Sequence, residues 1–215
     1  MKSDATWQLR DGGREALHAR WRALAGDSVE ADAVFEELAR LYASRGRAYH
    51  NLSHIDALLG MAEGCAGGES EALRYAIWFH DAIYRPRRGD NEAQSAELAA
   101  TRLSGLGVSP DTIALVGRMI LATQTHQEEG LPPAGRLFLD LDLSILGSDP
   151  ASYLRYSRAI RAEYRWVPAI LYRRERRKVL ERFLRRTRIY LTEEMAAKYE
   201  MQARRNLECE IAMLA

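Results

Sequence analysis

The chain has 215 residues, 47% of them hydrophobic and 28% charged, with a formal net charge of +1. That length suits one domain able to bury roughly 70% of its unfolded surface without staples. The composition is that of an ordinary soluble globular protein, and it excludes a disordered chain. No apolar run approaches the ~20 residues needed to cross a bilayer. Met1 to Gly13 is polar and carries no apolar signal segment, so a cytoplasmic location is expected. The near-zero net charge removes any whole-molecule argument for nucleic acid as a partner.

Helical periodicity runs through the sequence and strand-type alternation is absent, so the expected fold is all-α, a single helical bundle over 1–215. The first helix is expected over Gly13 to Leu24. The second runs from a Ser28 cap to Ser44 and stops at Gly46. A third starts near Asn51 or Ser53 and reaches Met61 before the glycine-rich turn at Gly64 to Gly68. The fourth, Glu69 to about Ile83, is apolar nearly all round and should lie centrally. Tyr84 to Asp90 reads as a loop, and Asp90 or Asn91 opens the next helix, to Leu106. Ser109-Pro110-Asp111 opens another, to Thr123. Gly130 to Gly135 separates it from a helix over Leu137 to Leu146. Helices over Ala151 to Tyr164, Pro168 to Tyr190 and Thr192 to Met213 complete the chain, and no composition shift marks a domain boundary.

The two cysteines, Cys65 and Cys209, form no Cys-x-x-Cys pair, which indicates neither a disulfide framework nor a thiolate metal site. Four of the five histidines lie between Tyr49 and His126, and only His18 stands apart. His50 and His54 are four apart, the spacing that puts both on one helix face. His80 and Asp81 are adjacent, so both can reach one ion only near a helix end. They close the most apolar helix, where a carboxylate without a cation or partner is costly to bury. An aspartate at 140 or 142 would complete two imidazoles and two carboxylates, a set suited to Mn, Fe, Co, Ni or Zn. Either aspartate could instead cap a helix. From Arg161 to Arg188 there are eleven Lys or Arg against three Glu, a face that is either simply solvated or attractive to phosphates.

The order His54, His80-Asp81, Asp142 resembles the HD superfamily of metal-dependent phosphohydrolases, and most closely the bacterial predicted metal-dependent HD phosphohydrolase group. The phrases that carry the resemblance are Arg47 to His54, Phe79 to Tyr84, Asp90 to Ala96, Phe138 to Gly147 and Ile160-Arg161-Ala162-Glu163-Tyr164. It spans about Trp21 to Ile211. It implies an HD-type bundle with a metal-site core at about 47–147 and extra C-terminal helices, about 151–213, packed on it.

By that resemblance His54, His80, Asp81 and Asp142 hold one divalent cation, whether Mn, Fe, Co, Ni, Zn or Mg. Cyclic nucleotide phosphodiesterases share the Tyr-His-Asn-x-x-His phrase, which makes His50 the proton donor. They also have a metal-binding Asp followed by Leu-Ser, which selects Asp142 over Asp140. Asn91 stands where many HD proteins carry a histidine for a second metal, so one ion is expected. Asp81 and Glu92 join His50 as candidate catalytic residues, and Tyr49, Asn51, His126 and Arg161 are candidate substrate contacts. The implied reaction is hydrolysis of a small phosphorylated substrate, a nucleotide being the leading candidate, by metal-activated water. The alternative is a non-catalytic metal- and nucleotide-binding sensor or interaction module. A homodimer is compatible with either.

Overall fold

The structure, a computed structural model, describes residue 9 and residues 11–214, so most of the polar stretch read from Met1 lies outside the described residues. Those residues form α1 (Gly13–Ala25), α2 (Val29–Tyr42), α3 (Leu52–Ala62), α4 (Glu71–Phe79), α5 (Asn91–Gly105), α6 (Pro110–Ala122) and α7 (Pro133–Leu143). A 3₁₀ turn, Ser144–Gly147, leads to α8 (Pro150–Glu163), α9 (Ala169–Leu184) and α10 (Glu193–Leu214). There is no strand among the described residues, and the fold is an all-α bundle. No helix among the described residues is long and apolar enough to cross a membrane.

Local chemistry starts these helices. The side chains of Ser28, Ser70 and Ser109 each accept a backbone N–H of the first turn, and Asp149 accepts two. Pro110, Pro133 and Pro150 stand where a helix lacks an N–H partner in any case. α4 is the centre of the bundle and packs on α3, α5, α6 and α7. Its Trp78 lies edge-on to Trp21 of α1 at 5.4 Å and to Phe35 of α2 at 6.0 Å. Such pairs favour one ring arrangement beyond their area burial.

The C-terminal helices join the same core. α10 packs on the 3₁₀ turn, on α7 and on α9. Asn206 donates to the carbonyls of Leu146 and Ser148, and the Tyr190 hydroxyl donates to the Leu143 carbonyl. Gly147 permits the contact: a Cβ there would stand 2.6 Å from the Tyr199 Cβ. A buried ion pair between Arg176 of α9 and Glu210 of α10, at 2.9 and 3.0 Å, ties the last two helices together.

The ends of α4 and α9 and the start of α7 depart most from the sequence reading, and α7 gives way to the 3₁₀ turn after Leu143 where a helix to Leu146 is expected. α4 ends at Phe79, not near Ile83, because Arg47 takes the carbonyls of Asp81 and Ala82 and the Ser95 hydroxyl takes the Ile83 N–H. α9 ends at Leu184, not Tyr190. There Arg204 collects the carbonyls of Leu184, Arg186 and Thr187, while Glu200 accepts the N–H groups of Ile189 and Tyr190. α7 begins at Pro133 and not at Leu137, since a proline opens a helix without losing a bond.

Candidate metal centre

Three stretches of chain meet beside the broken end of α4. Asn51 caps α3 by accepting the Ser53 N–H, and this sets His54 on the helix's first turn. His50 precedes the helix, so the expected shared helical face is not what relates the two rings, whose centroids lie 6.1 Å apart. What joins them to the third histidine is Arg47, whose guanidinium donates to the carbonyls of both His50 and Asp81. His80 is the C-cap of α4 and Asp81 follows where the chain has left the helix, the geometry adjacent ligands require. The last turn of α7 brings Asp142.

The donor atoms converge. Nε2 of His54 and Nε2 of His80 are 3.3 Å apart. An Asp81 oxygen lies 3.2 Å from the His80 nitrogen. Asp142 Oδ1 lies 3.3 Å from His54 and 3.5 Å from His80. Ligand atoms each about 2.0–2.2 Å from one ion stand roughly 3–3.5 Å from their neighbours, so the spacing fits a shared cation. The His80 Nδ1–H donates to the Ile77 carbonyl at 3.0 Å, which fixes the tautomer and turns the Nε2 lone pair to the centre. Two imidazole nitrogens that meet at this distance in a buried site either share a proton or face a common cation. His54, His80 and Asp81 therefore form a group that could hold a metal ion, and the donor set of nitrogen and oxygen fits a divalent one.

Electrostatics tell the same story. Burial is the largest influence on each of these groups, and it holds the His54 pKa below the ordinary imidazole value. At His80 the carboxylates of Asp81 and Asp142 outweigh burial and push the pKa well up. Burial raises both carboxylates, yet Asp81 stays below its usual range beside His80 and His50. Asp142 does so through hydrogen bonds from His126, His54 and His80. The cluster thus draws a positive charge to its middle, a proton or a cation.

Glu163, at the end of α8, is fully buried and accepts the backbone N–H groups of Ala48, Tyr49 and His50. Its other oxygen takes the Tyr84 hydroxyl and lies 2.6 Å from His50 Nδ1. Burial favours the neutral form of Glu163, but His50 and these donors overcome it and hold its pKa at about 2. Burial likewise opposes protonation of His50, and Glu163 and Asp81 reverse it, so the His50 pKa is raised. Its Nε2 points toward the cluster, 3.9 Å from Asp81. In the sequence Glu163 carries one signal, its membership of the Ile160 to Tyr164 phrase.

A cavity of about 660 Å³ opens over this cluster. His50, His80, Asp81, Asp142, His126 and Glu92 all line it. Of the four candidate substrate contacts, His126 lines this cavity and Tyr49, Asn51 and Arg161 do not. Tyr49 lies behind the cluster against His54 and Tyr156, and Asn51 serves as the α3 cap. Arg161 holds the carbonyls of Tyr164 and Val167 and covers the Tyr172 ring at 4.6 Å. Asn91 also lines the cavity, but its amide bonds Arg85 and Arg88 of the preceding loop. Asp140 turns away from the centre and accepts Leu191 N–H, Thr192 N–H and the Thr192 hydroxyl, each at 2.7 Å.

No protein-family model matches this chain, and neither a curated protein nor a solved structure matches it.

Proposed function

We propose that the chain is a metal-dependent phosphohydrolase of the HD type, acting on a small phosphate ester or anhydride such as a nucleotide. The observation that carries this reading is the pairing of two sites in one cavity. One is the convergence of His54, His80, Asp81 and Asp142; the other is a histidine, His50, bonded at Nδ1 to a buried carboxylate that raises its pKa.

In this reading the four donors hold a single divalent cation. When bound, such an ion makes a water acidic near neutral pH and withdraws charge from a phosphoryl oxygen. His50 is the general acid: Nδ1–H stays bonded to Glu163, and the Nε2 proton goes to the departing oxygen. Tyr84, whose ring stacks on His50 at 4.3 Å, fixes the plane from which that proton leaves. The aromatic wall of Tyr156, Tyr164 and Trp166 offers flat surfaces to a nucleobase, and Arg182 offers a cation to phosphate oxygens. Glu92 lines the same cavity and is placed to orient water.

The test is purified protein assayed for metal content and for phosphate or pyrophosphate release across a nucleotide panel with Mn, Co, Zn and Mg. Close to one metal per chain with turnover of a panel member supports the reading. Metal bound but no turnover, with ligand-dependent melting, would instead favour the non-catalytic sensor.

A further inference from the structure

The end of α9 grips the turn beneath the metal centre. Arg186 donates from Nη2 to the Thr125 carbonyl at 2.7 Å and from Nη1 to the His126 carbonyl at 3.0 Å. Its guanidinium carbon lies 4.8 Å from the Phe183 ring, which meets the His126 imidazole at 6.1 Å. Backbone and ring of one histidine are therefore both held from one place, the last turn of α9 at Phe183 and Arg186 just beyond its C-cap.

That histidine has an unusual backbone. His126 is the one non-glycine residue with positive φ among the described residues, at 50°. A side chain with a Cβ enters this left-handed region at a cost, and it stays only where its surroundings over-determine it. The conformation aims Nε2 at Asp142 Oδ2, 2.9 Å away. The other oxygen of the same carboxylate is the one that faces His54 and His80. A carboxylate anchored on one oxygen cannot turn about its own bond, so the hydrogen bond from His126 sets where the metal-facing oxygen points.

We infer that Arg186 is a positioning residue for the cation: by clamping the Thr125–His126 turn it keeps His126 in the conformation that orients Asp142. The clamp connects α9, a wall of the substrate cavity, to a ligand of the ion through two side chains and no direct contact. The inference rests on the metal-centre reading but not on hydrolysis.

The test is calorimetric titration of Co²⁺ into chelator-treated full-length protein, with the visible Co²⁺ absorption recorded alongside. The variants are R186Q, R186K, H126G and the double variant R186Q/H126G. R186Q should weaken Co²⁺ binding by about 10–100-fold and change the absorption band, the range usual for a residue that supports a ligand. R186K, able to keep one of the two carbonyl bonds, should recover part of the loss. H126G frees the backbone and removes the imidazole, so R186Q added to it should cost less than about twofold more.

Two results overturn the clamp: R186Q binding Co²⁺ within about twofold of wild type, or a loss that adds in full to that of H126G. A role confined to folding would lower the melting temperature of metal-free R186Q and leave affinity alone. If R186Q folds poorly, the comparison of R186K with and without H126G decides by the same criterion. Normal Co²⁺ binding by wild type with R186Q unaffected sinks the clamp alone. Wild type without Co²⁺ binding sinks the metal centre with it.

Discussion

Glu163 Oε2 lies 2.6 Å from His50 Nδ1 although 113 residues separate them, and it is the closest charged contact of the histidine. The charge of Glu163, not merely its shape, should matter. E163Q is expected to lower kcat by about 10²-fold or more at neutral pH while metal content stays at the wild-type level. Because Glu163 helps raise the His50 pKa, its loss should also move the basic limb of the pH–rate profile to lower pH. Phosphate release measured from pH 5 to 9, with metal content determined on the same samples, checks both.

Metal uptake should be favoured by rising pH. His80 is pushed to a pKa well above the ordinary imidazole value and must lose its proton to bind an ion. Isothermal titration in two buffers of different ionisation enthalpy is expected to show about one proton released per ion. Chelation should lower the melting temperature, since an ion that binds only the folded chain stabilises it.

The two aspartates of α7, two residues apart, should fail in different ways. D142N is expected to lose metal with a modest change in the stability of the metal-free chain. D140N should keep its metal but lose about 1–3 kcal/mol, because the three donors of Leu191 and Thr192 lose a charged acceptor in a buried site. Metal analysis and urea unfolding of both variants separate the two roles.

Breaking the Arg176–Glu210 pair by E210A should cost about 3–5 kcal/mol, since a buried guanidinium is left without its partner. Burial pushes the Glu210 pKa up, but Arg176 and the Tyr153 and Ser157 hydroxyls hold it below 4.5 in the folded chain. A carboxylate depressed by folding stabilises above its unfolded pKa and ceases to do so as pH falls through the folded one. Wild type should therefore lose stability below about pH 4.5. An R176M/E210M chain should lose less over the same interval by thermal melting.

The helices were legible because each is encoded locally: a Ser or Asp cap, an early proline, an apolar stripe. The ends of α4 and α9 were not, because Arg47, Arg204 and Glu200 remove backbone groups from the helical pattern across distances that periodicity does not register. His54, His80 and Asp81, which could hold a metal ion, were legible through short phrases with fixed spacing, whereas spacing alone left Asp140 and Asp142 open. Glu163 was hidden because it reads as one more helix-surface acid until α8 is laid against the chain at Ala48 to His50. Arg161 misled in the opposite sense, since a cation in a basic stretch looks free for phosphate when its partners are the carbonyls of its own turn.

The short Ser148–Asp149 link between the 3₁₀ turn and α8 divides the labour of the chain. All four candidate metal donors precede it, whereas the carboxylate bonded to His50 and the arginine that grips His126 follow it. In the proposed reading His50 and the donors for the cation thus lie on one side of the link, and the residues that support them, Glu163 and Arg186, on the other. One residue inserted at that link would shift the phase of Glu163 against His50 while leaving every metal donor in place. On the proposed function, lengthening the chain there would silence hydrolysis and leave cation binding intact.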